Sequence, residues 1–60
     1  MITNSLVFDW LNTFDGCDAE DLLTAITNNE IKIEVMNDSI HAFSIGEMEV
    51  ANNLYKEMWR

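Results

Sequence analysis

The sequence predicts an α+β fold: a single compact domain over residues 1–60 in the order helix, helix, β-hairpin, helix. Three observations predict it. Apolar residues recur at helical spacing in the first half, the period switches to two at Ile31, Ile33 and Val35, and an S-x-x-E signature at Ser44 to Glu47 precedes a last amphipathic run.

The first helix is expected from Asn4 or Ser5 to about Phe14. Leu6, Val7, Trp10, Leu11 and Phe14 share one face, Asn4 or Ser5 can cap the start, and Asp15-Gly16 supplies a stop. Phe8 lies off this stripe, where it could be exposed, and two readings stay open for it, a core residue or an anchor for a partner. The second helix opens at Asp18, a favoured N-cap, with Glu20 and Asp21 in the first turn where carboxylates complement the helix dipole. Ala19, Leu22, Leu23 and Ile26 form its stripe, and Asn28-Asn29 ends it.

The hairpin rests on the alternation of Ile31, Ile33 and Val35 with Lys32, Glu34 and Met36. Asn37-Asp38-Ser39 has turn chemistry, and a return strand is expected from Ile40 to about Phe43. Two registers fit, and the one pairing Ile33 with Phe43 and Ile31 with Ile45 is favoured. In the last helix Ser44 and Glu47 would form a capping box, with Phe43 and Met48 as its hydrophobic staple. Met48, Ala51, Leu54, Tyr55 and Met58 line one face, while Lys56 and Arg60 stand at the negative end of the dipole.

Composition narrows the function classes. Eleven Asp and Glu against three Lys and Arg give a formal charge of -8, and the first basic residue is Lys32. Such a surface repels nucleic acid and anionic lipid and attracts basic proteins. An apolar fraction of 48% with six aromatic residues excludes a disordered acidic tail. The single cysteine, Cys17, cannot form an internal disulfide. That suits a reducing cytoplasm, and no signal peptide or membrane span is evident. A chain of 60 residues has little room to enclose a substrate pocket and keep a core.

The residues that could carry chemistry lack motifs. His41 and Cys17 stand alone, so neither a nucleophile-base pair nor a zinc site is expected, and no cofactor is implied. The run from Asp15 to Asp21 holds four carboxylates but lacks the ligand order of a calcium loop. It reads as helix-start chemistry or as an acidic knob for a basic partner. Asp38-Ser39-Ile40 resembles the D-S-L triplet of acyl carrier proteins, which would imply a phosphopantetheine arm on Ser39. The resemblance covers three residues, and here they follow a strand-like run, so Ser39 is read as a turn residue.

The leading expectation is a non-catalytic acidic protein-binding module, of the kind phages and mobile elements use as anti-CRISPR or anti-restriction inhibitors. Its partner would be a basic nucleic-acid-binding protein, and two readings of the carboxylates stay open, imitation of phosphates and simple solubilising charge. Asp15, Asp18, Glu20 and Asp21 are the candidate contacts, Glu47 and Glu49 a second acidic site, and Trp59 an apolar anchor. The alternative is a regulatory or structural subunit, a homodimer or antitoxin-like partner, joined through the hairpin edge and the last helix.

Overall fold

The computed structural model describes residues 3–14 and 19–60, which form four helices: α1 (Asn4–Phe14), α2 (Ala19–Thr27), α3 (Ile33–Ser44) and α4 (Met48–Met58). Among the described residues there is no strand. The only β-type pairing there is an isolated antiparallel bridge between Ile31 and Trp59. The fold is therefore all-α, and the expected α+β hairpin is corrected: its residues build α3.

The correction has a physical basis. The two-residue period over Ile31 to Val35 is short. A helical period spans the whole segment, with Val35, Ser39 and Ala42 on one row and Met36, Ile40 and Phe43 on the next. Ser39, Ile40 and Ala42 are buried, and Val35, Met36 and Phe43 pack partly against the core. As a helix the segment buries Ser39, Ile40 and Ala42 and gives the Ser39 hydroxyl two tertiary hydrogen bonds, which outweighs the turn preference of Asn37-Asp38-Ser39.

Both described interior helix ends use one device. The Asn29 amide bonds the Ile26 carbonyl at 3.0 Å and that of Glu30 bonds Ala25 at 2.9 Å, with Asn29 at φ 60°. After α3 the pattern repeats: Gly46 to Phe43 at 3.2 Å, Glu47 to Ala42 at 2.9 Å, with Gly46 at φ 82°. These are Schellman motifs, which satisfy the last carbonyls through a left-handed residue. The stop at Asn28-Asn29 stands where the sequence placed it. The capping box at Ser44 does not form, because Gly46 in a left-handed conformation terminates α3. Ser44 is the last residue of α3, and Glu47 is the N-cap of α4 without a side-chain cap bond.

The core joins all four helices and the α2–α3 connection through Trp10, Leu11, Leu22, Ala25, Ile31, Ile40 and Met58. At its centre lies a polar relay. Trp10 Nε1 donates to Ser39 Oγ at 2.9 Å, and the Ser39 hydroxyl donates to the Ala51 carbonyl at 2.7 Å. An indole N–H can only donate, so the direction of the relay is forced, and it links α1, α3 and α4. Ser39 has no exposed surface, so it is neither a turn residue nor accessible to a prosthetic arm.

Aromatic rings extend this contact. Trp10 meets Tyr55 edge-on at 5.6 Å, and Phe14 stacks on Tyr55 at 5.9 Å. Phe14 also meets Phe43 at 5.8 Å, and Tyr55 meets Trp59 at 6.2 Å. A backbone clasp closes the far end of α4: the Lys32 amide bonds the Met58 carbonyl at 2.7 Å, and the Arg60 amide bonds the Glu30 carbonyl at 2.9 Å.

Candidate protein-binding surface

The aromatic inventory singles out one side chain. Five of the six aromatic residues form the ring network above, and Phe8 alone stands outside it, half exposed on α1. Helix geometry explains this, since Phe8 falls about 100° from its neighbour Val7, which packs partly against the core. On α2 a similar offset leaves Leu23 64% exposed while Leu22 and Ala25 are buried and Ile26 packs partly against the core. The stripe expected for α2 therefore turns: Ala25 belongs to the core and Leu23 to the surface.

Phe8 and Leu23 border an open groove of about 290 Å³ between α1, α2 and α3. Asn4 and Val7 line it from α1, Leu22 and Ile26 from α2, and Met36, Asn37 and Ile40 from α3. Among the described residues its walls are mostly apolar, with two amides and no charged side chain. On the other side of Leu23 lies a second, more polar depression of about 310 Å³, where Glu20, Thr24, Thr27 and Asn28 join Leu23. The Thr24 hydroxyl donates to the Glu20 carbonyl at 3.0 Å, and that of Thr27 to the Leu23 carbonyl at 2.9 Å. Each threonine has thus spent its one donor on its own helix and keeps lone pairs for an incoming donor.

The expected contact residues do not form one site. Glu20 and Asp21 are exposed in the first turn of α2, whereas Asp15 and Asp18 lie outside the described residues. Glu47 and Glu49 flank the start of α4 and Trp59 follows its end, so about 15 Å of helix separates them. Glu47 and Glu49 alternate with exposed Met48 and Val50, and Ile45 just before them is also exposed. Trp59 is 36% exposed and partly committed to the fold through its Tyr55 contact and the Ile31 bridge.

Charge is unevenly placed. All nine carboxylate side chains among the described residues are exposed, and they occur on every helix. Lys32, Lys56 and Arg60 are all backbone members of the clasp or within two residues of one, since the Lys32 amide bonds Met58, and Glu30 and Glu57 stand beside them in sequence. Among the described residues no group of three His, Cys, Asp or Glu converges as a metal would require, and no helix is long and apolar enough to cross a membrane.

Comparisons with protein-family models, with curated proteins and with solved structures find no match for this chain. The groove beside Phe8 and Leu23 went unrecognised in the sequence. Phe8 carried a signal, being off its stripe; Leu23 carried none, since its spacing from Ala19 and Ile26 is that of a core residue.

Proposed function

We propose that this chain is a non-catalytic acidic protein-binding module that inhibits a basic, nucleic-acid-handling protein by covering its cationic surface. The observation that carries this reading is the exposure of every described carboxylate, on all four helices, in a chain of charge -8. A carboxylate recruited to hold the core would be buried and paired; these are spread over the surface, as the charges of a polyanion are. With the cations drawn to one end, a basic partner meets an almost purely anionic surface over the rest, which speeds encounter and orients it.

The subunit alternative loses half of its interface, since no hairpin edge exists. A second copy would also bring the same charge against itself.

The test is competition. A basic nucleic-acid-binding protein captured by the chain should release its nucleic acid as the chain is added, and the effect should weaken steeply between about 50 and 300 mM salt. Salt-independent binding, or binding that leaves the nucleic acid in place, overturns the proposal.

A further inference from the structure

We infer that the α1–α2–α3 groove, together with the Glu20 depression beside it, is a two-part docking site for an amphipathic helix with basic flanks. Apolar side chains of that helix enter between Phe8 and Leu23, and a Lys or Arg crosses Leu23 toward Glu20. The inference rests on the reading of the chain as a protein-binding module and names the place and the partner's chemistry.

Shape and charge select this occupant. The groove is bounded by helices on three sides and walled by Val7, Leu22, Ile26, Met36 and Ile40, so it takes a row of apolar groups such as one helix face presents. With no charged side chain among its described walls, it is suited to apolar groups rather than charged ones. The neighbouring depression is its complement: the Glu20 carboxylate and the Thr24 and Thr27 oxygens are acceptors, the threonine protons already being spent within α2. A guanidinium or ammonium brings only donors. Leu23 forms the ridge between the two, so an apolar and a basic residue one helical turn apart would straddle it.

Orientation follows from the charge layout. The chain's own cations are placed by sequence around the clasp, beside the connection that leaves the C-terminal end of α2, where they offset Glu30 and Glu57, whereas Glu20 stands with Asp21 in the first turn of that helix with no described cation near it in sequence. The basic flank of the ligand therefore points toward the N-terminal end of α2. A second copy of this chain is disfavoured: it carries a net charge of -8, and its one helix with cations at its end, α4, also carries Glu49 and Glu57 and is tied at that end into the clasp.

The probes are three synthetic helical peptides of equal length: one amphipathic and basic, one with the same composition scrambled so that no apolar face remains, and one amphipathic with Gln replacing every Lys and Arg. Titration calorimetry and backbone amide shifts are recorded with the whole chain. The amphipathic basic peptide should bind tightest, with shifts confined to the groove residues and to Glu20 and Thr24. Phe8→Ser and Leu23→Ser should each weaken it about tenfold, and Glu20→Gln should weaken it about threefold at low salt without affecting the Gln peptide. Both apolar residues are exposed, so the variants should fold, and circular dichroism checks this.

Equal binding of the scrambled basic peptide overturns the docking site while leaving the acidic-module reading intact. Absence of binding by either basic peptide overturns both. Unchanged affinity in Leu23→Ser, or self-association of the chain with shifts in the groove, overturns the docking site.

Discussion

Replacing Ser39 by alanine removes one oxygen from the centre of the fold and leaves the Trp10 indole N–H without its acceptor at 2.9 Å. A buried donor left unpaired costs about 1–3 kcal/mol. The Ala51 carbonyl loses its 2.7 Å contact from Ser39 but lies inside α4, where a helical amide can satisfy it. Alanine returns about 0.5 kcal/mol through its better helix propensity. The net expected loss is about 1.5 kcal/mol, a tenfold rise in the unfolded fraction. A domain of this length holds about 3–9 kcal/mol in all, so the melting temperature should fall by about 6–12 °C. Urea unfolding followed by circular dichroism measures this, a signal that survives tryptophan substitution. Trp10→Phe supplies the second leg of a double-mutant cycle. With the donor gone, Ser39→Ala should cost about 1 kcal/mol less than in the parent. A Ser39→Ala variant as stable as the parent, or an equal cost in both backgrounds, would refute the relay as a stabilising element.

Gly46→Ala should destabilise by about 1 kcal/mol through backbone conformation alone, since a Cβ there meets nothing within 4 Å, and Gly46→Asn should cost less because Asn29 already adopts a similar angle. Thermal melts of the two variants give the order, and a reversed order contradicts the left-handed cap. Ile31→Ala, at a residue 2% exposed behind the clasp, should cost about 3 kcal/mol in denaturant titration. Adjacent residues of α2 should behave oppositely: Leu22→Ala should cost about 3 kcal/mol and Leu23→Ala less than about 0.5. Equal losses at the two positions would mean that α2 is rotated from the orientation described.

Much of the fold was legible where local and tertiary preferences agree. The stripe from Leu6 to Phe14 gives α1, Asn28-Asn29 marks the end of α2, and Ala51 and Met58 lie on the buried face of α4. Legibility failed where they conflict. In Asn37-Asp38-Ser39 each residue favours a turn in isolation, yet Ser39 is held in a helix by two partners, 29 residues before it and 12 residues after it in sequence. No local window contains either of them. Ser44 to Glu47 carried a true boundary signal read at the wrong boundary: Gly46 ends one helix more strongly than Ser44 begins the next. As for the binding surface, the acidity was plain in the composition. The groove was not, because it depends on how three helices lean on one another and on a rotation that brings Leu23 outward.

The clasp between Glu30–Lys32 and Met58–Arg60 divides the molecule by cooperativity. It joins the two ends of the α3–α4 pair, which is also the most extensively packed pair of helices, into a closed ring of structure. α1 is mounted on that ring through Trp10, and α2 through Leu22 and Ala25. Amide protons of α3 and α4 should therefore exchange with solvent only on global unfolding, while those of α2 exchange through a smaller opening that leaves the ring intact. One wall of the groove belongs to α2, the helix expected to open, and another belongs to the ring, so the surface should widen around a ligand without unfolding the ring that carries it.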